Sequence, residues 1–589
     1  MKKYNFHAIF LIVLLYCAPI LLGTSYYYDD LFRAYSGYSS WNSDGRPFAN
    51  LFYQIITFGQ TMPDTFPLPI VIALAIFAYI GFIFGKEYSN ARSLAYVISY
   101  AMLIMSPMFV SNLLFRYDSA FMILAVASSI SPYTLNLKRN VNIVIGIIFI
   151  VLSFGLYQAA VSIFIAFAGI EVFRNSCDSN AKHTIKICLI RIAQLAVAYI
   201  IYSKIILEPF VINDYFKSFN KPIELNTDGI SHIVVNITAS IYNIKLLFSP
   251  GMLISLTPIS AYSVYCFIKF IYSSKKILPV FGFLSAIVAI SIAIPGIAIF
   301  GEAPIFYPRI YIGFGAFLFF VCIVPCMLNG NNKVTLLLQM ILTFYLFGFI
   351  NATCNAVRAD IEYQRSTSQR IINVVDEHGL SAYHNIVVLG QLRQSPLSFV
   401  NTLSYPLISV ISPQYFINGY DGARFMLMHE GLDNVEYLST SAQAEMREKV
   451  KHIEPVFAGN LFSIYNIDNT IVISFENTIY DHINKGMIHY KFKNSMINNA
   501  FFGDKYFYVC LSNFILPELK RNEWYYLLFH TKSGDVINRN FFLPYNIKHS
   551  DKTCVTSQWQ EAINVENISS IEFGIYNIQT MQRRIDLGD

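Results

Sequence analysis

Residues Val141–Phe173 read VNIVIGIIFIVLSFGLYQAAVSIFIAFAGIEVF, an apolar run interrupted at Tyr157-Gln158. A helix crosses the hydrocarbon of a bilayer in roughly 20 residues. This stretch is too long for one crossing, so it is read as two short membrane helices that meet at Tyr157-Gln158. Nine further windows of spanning length lie near 7–24, 68–85, 93–111, 119–136, 184–206, 251–271, 278–300, 310–328 and 334–353. Together they predict a polytopic α-helical membrane protein with about eleven spans.

Positive charge in short loops marks the cytoplasmic side. The clusters are Lys2/Lys3, Lys86/Arg92, Lys138/Arg139, Arg174/Lys182/Lys186, Lys275/Lys276 and Lys333. They alternate correctly for a cytoplasmic N-terminus and eleven spans, provided that the chain turns at Tyr157-Gln158. The outer loops are then 24–67, 112–118, the Tyr157-Gln158 tip, 207–250 and 301–309. Amphipathic stretches from Arg46 to Phe58 and from Ile230 to Leu247 suit the membrane surface.

Composition agrees. Of the 589 residues 55% are hydrophobic and 13% charged, with a mean hydropathy of +0.46. An ordinary soluble chain carries about 25% charged residues. The long apolar runs end near Thr353, which divides the chain into a membrane region 1–353 and an extracytoplasmic C-terminal part. Residues 354–379 are predicted to leave the membrane as a helix, with Arg358, Asp360, Glu362 and Arg365 on wet faces. Strands are expected at Asn385–Leu389 and Ile471–Phe475, and a charged helix at Ser441–Lys451, so 354–475 reads as an α/β region. Short alternating runs at Tyr506–Cys510, Trp524–Phe529 and Ile571–Tyr576 make 476–589 a β-rich, sandwich-like region.

The net charge of +5 lies in scattered clusters, with no dense basic run to suit a nucleic acid. Lys2, Lys3 and the apolar stretch Ala8–Leu22 resemble a signal peptide, but the small-residue cleavage pattern near Gly23 is poor, and a retained first helix is expected. Cys17, Cys266, Cys322 and Cys326 lie in apolar runs as small hydrophobes. Cys510 and Cys554 can pair if the tail lies in an oxidising compartment.

The chemistry-bearing residues gather in the outer loops. Directly after the first helix comes Tyr26-Tyr27-Tyr28-Asp29-Asp30-Leu31-Phe32-Arg33. Glycosyl transfer to a hydroxyl needs a base for the acceptor proton. Asp29 or Asp30 at the membrane rim suits that task; otherwise the pair merely anchors the helix end in water. Next, Trp41, Asn42, Asp44, Gly45, Arg46 and Pro47 combine an aromatic ring for a sugar face with polar groups for its hydroxyls. Arg46 also suits a lipid phosphate; the plainer reading is a turn with a snorkelling arginine. Arg116, Asp118, Tyr157, Gln158, Glu302 and Arg309 complete the outer polar set. Arg116 and Asp118 also fit a simple ion pair, and Arg309, opening a helix, suits an anion. The sequence contains no Gly-rich phosphate loop, Cys/His cluster or nucleophile elbow. With no cytoplasmic nucleotide fold, a donor dissolved in the membrane fits better than a soluble sugar nucleotide.

The segment Tyr28-Asp29-Asp30…Arg33…Gly37…Trp41…Gly45-Arg46-Pro47, placed after the first helix, resembles the phage-borne O-antigen serotype-conversion glucosyltransferases. Tyr157-Gln158 and Pro308-Arg309…Gly313…Gly315 are similar to that family too, so the resemblance covers roughly residues 1–353. It implies the C-type glycosyltransferase architecture and transfer of glucose from undecaprenyl-phosphate-glucose to an O-antigen sugar of lipopolysaccharide. The reaction would take place at the periplasmic face of the bacterial inner membrane, with inversion. It implies Asp29 or Asp30 as base, and Arg46 and Arg309 as donor-phosphate ligands; Arg116, on the same outer face, is a further candidate for the donor phosphate. Arg33, Trp41, Asp44, Tyr157, Gln158 and Glu302 are the candidate sugar contacts. No metal ligands are assigned, though C-type enzymes often bind a divalent cation near their first-loop acids. The alternatives are an O-antigen polymerase, a lipid-glycan transporter or flippase, and a non-catalytic surface-assembly protein.

Overall fold

The computed structural model describes the chain apart from residues 1–3, 24, 86–93, 136–137, 179, 210–222, 224–226, 303, 305, 381–384, 434, 439, 460, 477–487, 491–496, 503–505, 513–522, 543–551, 559–566, 578 and 589. The charge clusters Lys2/Lys3 and Lys86/Arg92 therefore lie outside the described residues. The chain forms two compact units. One is Met1–Ala359 with Val400–Pro413; the other is Asp360–Phe399 with Gln414–Asp589.

The first unit is helical. Among the described residues six helices are long and apolar enough to cross a membrane: Asn5–Gly23, Arg139–Leu156, Gln158–Asp178, Ala181–Leu207, Pro250–Ser274 and Asn332–Glu377. The bent pair Leu94–Met105 and Pro107–Leu113 makes a seventh. Shorter apolar helices cover Leu68–Phe84, Ser119–Tyr133, Leu278–Ala293 and Gly313–Met327. Each apolar window of the sequence thus corresponds to one of these helices.

Helix α1 (Tyr4–Gly23) has 20 residues, about 30 Å of rise. Ile9, Val13, Tyr16, Cys17 and Ile20 are buried on one face, while Leu11, Leu15 and Leu22 are exposed. Apolar side chains on both faces, one packed and one open, are what a lipid-facing helix requires. The break at Tyr157 is real: its backbone is extended (φ −163°, ψ 107°) and ends the helix Arg139–Leu156. A 3₁₀ turn, Gln158–Ala160, follows before the chain resumes as Val161–Asp178.

Two short helices, α2 (Asp29–Ser36) and α3 (Pro47–Thr57), occupy the loop after α1. Helix α3 buries Ala49 and Tyr53 and exposes Leu51 and Ile55, with exposed Phe58 just beyond. Its Phe48 packs over Gly155, where a Cβ would lie 2.3 Å from the ring. The helix Thr227–Lys245 is apolar outward: Ile230, Val234, Ile237 and Ile241 are exposed, while Asn236 and Ser240 are buried. Asn236 Nδ2 donates to the carbonyls of Ile299 (3.2 Å) and Gly301 (2.9 Å). Polar groups therefore fix this helix to the protein and leave its apolar face outward.

The second unit holds β1 (Asn385–Leu389), β2 (Glu436–Tyr437), β3 (Phe457–Ala458), β4 (Ser463–Ile467) and β5 (Thr470–Ser474) in one sheet, ordered β2-β1-β5-β4-β3. β1 pairs in parallel with β2 and β5, whereas β4 pairs antiparallel with β3 and β5. Met446 and Val450, at the end of the helix Thr440–Lys449, pack on Val387, Leu389, Tyr465 and Val472. Asp360, expected on a wet face, is instead buried, and its Oδ1 accepts the Ser395 N–H at 2.7 Å. Two four-stranded antiparallel sheets follow, built from β6 (Ile488–Tyr490), β7 (Ile497–Phe502), β8 (Tyr506–Ser512), β9 (Glu523–Thr531), β10 (Val536–Phe542), β11 (Lys552–Gln558), β12 (Ile568–Asn577) and β13 (Gln582–Gly588). Their orders are β10-β9-β12-β13 and β11-β8-β7-β6. Cys554 stands opposite Cys510 in the β11–β8 register; the side chains of this pair lie outside what is described.

Candidate active site

The two acids after α1 have opposite environments. Tyr28 precedes them with φ 47° and ψ −109°, a conformation that a side-chain-bearing residue adopts only under constraint. The turn is held by Asp30, which is fully buried. Its Oδ2 accepts the N–H groups of Tyr27 (3.1 Å) and Arg116 (2.7 Å), and its Oδ1 that of Tyr117 (3.3 Å). One carboxylate thus fastens the start of α2 to the turn 114–118. Burial pushes the Asp30 carboxyl up to about 7; Arg33 and the N–H bonds act against this rise, and Asp118 adds to it. The Asp29 side chain, in contrast, is 51% exposed. Its Oδ2 lies 4.0 Å from Arg33 Nη2 and 3.9 Å from Arg309 Nη1.

Behind them lies Asp118, 1% exposed. Its Oδ1 accepts Arg46 Nη1 at 2.6 Å and Trp41 Nε1 at 2.9 Å. Its Oδ2 accepts Arg33 Nη1 in a short ion pair. Burial alone would raise the Asp118 carboxyl, but Arg33 and Arg46 outweigh it and hold the group below its ordinary value. Arg46 also donates from Nε to the Leu156 carbonyl at 2.9 Å, and its buried Nη2 has no hydrogen-bond partner.

Further bonds lock this frame. Gln158 Nε2 donates to the carbonyls of Asp44 (3.1 Å) and Gly45 (3.2 Å) and to Tyr202 Oη (3.0 Å). Tyr202 Oη in turn donates to the Gly45 carbonyl at 2.8 Å. Gly45, at φ 71°, makes the turn that carries Arg46. Tyr157 Oη and Asn112 Nδ2 both grip the Arg309 carbonyl, at 3.2 and 3.1 Å. Arg309 is thereby fixed at its backbone, while its side chain remains 34% exposed.

Several expected roles change. Trp41, expected to cover a sugar, is fully buried and packs edge-on against Tyr53 and Phe121. Arg33, expected at a sugar, is buried on Asp118. The amide of Gln158 and the hydroxyl of Tyr157 bond to backbone carbonyls rather than pointing free. Arg116 pairs with Asp64 at 2.5 Å and lies over the Phe66 ring at 4.5 Å, and not on Asp118. Asp44 is half-buried; burial raises its carboxyl against the pull of Arg46 and Arg33. Glu302 is exposed, six residues ahead of Pro308. The roles of Asp118, Asp64, Asn112 and Tyr202 escaped the sequence reading. Only Asp118 carried a signal: an acid between two apolar runs, with arginines on the same side of the membrane.

The arrangement is an accessible carboxylate between two guanidinium groups, in front of a buried, charge-paired frame. It can take a proton from a hydroxyl and hold an anion beside it. Among the described residues no group of three His, Cys, Asp or Glu side chains stands together as metal ligands. The acids beside Arg33 suit a divalent cation poorly, because Asp30 and Asp118 are engaged by N–H donors and guanidinium groups and Asp29 lies between two cations.

Comparison with known proteins bears on this chemistry. Residues 18–320, just over half of the chain, match the family described as "Glucosyl transferase GtrII". The chain is also similar to a protein of Salmonella phage P22 described as "Uncharacterized 55.3 kDa protein in gtrB 5'region". The identity is 28% over 492 residues, covering 80% of this chain and 98% of the relative. No solved structure matches significantly.

Proposed function

The chain belongs to the Glucosyl transferase GtrII family, and from that premise we propose that it transfers glucose from undecaprenyl-phosphate-glucose to the O-antigen glycan of lipopolysaccharide. The reaction takes place at the periplasmic face of the inner membrane. Eleven crossings with the N-terminus inside and the C-terminal region outside put Asp29 at the height of the donor's headgroup. The observation that carries the reading is the exposed carboxylate of Asp29 between Arg33 and Arg309, directly after α1.

Asp29 is the base. It removes the proton from an acceptor hydroxyl, whose oxygen attacks the anomeric carbon of the donor sugar. The bond from that carbon to the phosphate oxygen breaks, and the electron pair leaves with the polyprenyl phosphate. One displacement inverts the anomeric centre. The leaving group is already a phosphate, so no strong acid is needed. A fixed cation beside it stabilises the charge as it develops. Arg309 supplies that cation, and its partly exposed side chain supports the role. Asp30, Trp41, Tyr157 and Gln158 hold the site in place.

The test is compositional and linkage analysis of the cell-surface glycan with and without the chain, and with Asp29→Asn. The chain should add one glucose branch per repeat, and Asp29→Asn should abolish it while inserting normally. An unchanged glycan would refute glucosyl transfer; a change in chain length alone would favour a polymerase.

A further inference from the structure

We infer that Asp118 is the positioning residue of this site: it holds Arg33 and Arg46 back so that Asp29 stays open to the acceptor. The inference rests on Asp29 being the base. Both Asp118 oxygens are engaged, one by Arg33 and the other by Arg46 and Trp41. Arg33 is contested between carboxylates. Its Nη1 contacts Asp118, lies 3.9 Å from Asp30, and its Nη2 lies 4.0 Å from Asp29 one helical turn away. The oxygens of Asp30 already accept three backbone N–H groups. Two carboxylates then remain within 4.0 Å of Arg33, and Asp29, which is not the acceptor of those N–H groups, is the less engaged of the two, so Arg33 turns toward it when Asp118 loses its charge. The guanidinium then closes on the base and masks the lone pair that takes the proton.

The frame does not depend on Asp118 alone. Gln158 and Tyr202 hold the Asp44-Gly45 turn by its carbonyls, and Asp30 holds the start of α2. Asp118 is therefore one of several holds on the scaffold, and what it alone supplies is the placement of Arg33 and Arg46.

The experiment uses the full-length chain in membranes, with polyprenyl-phosphate-glucose and acceptor glycan. Asp118→Asn should lower kcat by about 100-fold or more, in the range of a lost general base, with the donor KM changed by less than about threefold because no substrate contact is removed. If the effect runs through Arg33, the losses are not additive: Arg33→Gln/Asp118→Asn should be no worse than Arg33→Gln. Additive losses, or full activity of Asp118→Asn, would overturn the inference. The charge-balanced double variant also decides the question if Asp118→Asn fails to accumulate.

A second arm needs no catalysis. In an Asp29→Cys chain, the thiol is labelled with anionic and cationic methanethiosulfonates, read by peptide mass. Adding Asp118→Asn should raise the anionic-to-cationic rate ratio several-fold, because Arg33 swings toward position 29. An unchanged ratio rejects the positioning role even if the chain transfers some other group. Absence of transfer by the unmodified chain, with the ratio shifted, rejects the glucosyltransferase reading instead.

Discussion

Exchanging each of the two neighbouring acids for its amide should produce opposite defects. In Asp30→Asn the buried carboxylate, which accepts three backbone N–H groups on two oxygens, becomes a group with one oxygen and one NH₂. If the amide oxygen takes the Oδ2 position, the Tyr117 N–H faces a donor; in the other orientation the N–H groups of Tyr27 and Arg116 do. An unsatisfied buried donor costs about 1–3 kcal/mol, and opposed donors more, so a loss of about 2–4 kcal/mol is expected. In detergent the thermal midpoint should fall by roughly 5 °C. In Asp29→Asn the side chain is half exposed and its ion pairs are about 4 Å long. Such pairs contribute about 0–1 kcal/mol, so the midpoint should move by only about 1 °C. Its transfer rate should instead fall by about 10²–10⁴-fold, the usual worth of a general base. Paired melting curves and transfer assays in the same membranes check both. Wild-type transfer by Asp29→Asn, or equal stability of Asp30→Asn and wild type throughout about pH 4–7, would refute the division of labour.

Arg309→Ala should reduce transfer by at least about 100-fold through lost stabilisation of the leaving phosphate, while Arg309→Lys should recover part of it in steady-state assays. Stability should also depend on pH through Asp30. Its carboxyl titrates at about 7 in the folded chain against 3.8 ordinarily, so the folded state binds the extra proton between those values. The stability that Asp30 confers then falls as pH rises from about 4 to about 7 and is flat above; the midpoint difference between wild type and Asp30→Asn should shrink over that window. Asp118 acts in the opposite sense, its stabilisation being full above its ordinary value and lost as the medium is acidified below it. Gly315→Ala would put a Cβ 2.7 Å from the Leu103 carbonyl oxygen, and Gly313→Ala one 2.1 Å from that of Ala293. Each should cost about 1–3 kcal/mol by overpacking, read as lower yield and melting point. Exchange of residues 360–589 between two related enzymes should change linkage specificity if this region shapes acceptor choice; an unchanged linkage would reject that role.

The amino-acid sequence by itself determined the helical membrane character, the position of nearly every apolar helix and the turn at Tyr157-Gln158. These follow from local quantities: the length of an apolar run, and a polar residue that interrupts it. It also placed the chemistry-bearing residues in the loop after α1 and near Arg309. What only the tertiary structure decided is which of them are free to act. Asp29 and Asp30 are adjacent and chemically alike, yet one is half exposed and the other is enclosed by backbone N–H groups from a turn more than 80 residues away. Trp41, Arg33 and Arg46 suit a sugar or a phosphate, yet all three converge on Asp118. Asp360 sits on a charged helix yet is buried against Ser395. The physical reason is common to all of these. Sequence states which donors and acceptors a residue carries, but their engagement depends on partners brought near by packing between distant segments. The group left accessible, here the Asp29 carboxylate, is known only once the others have found theirs.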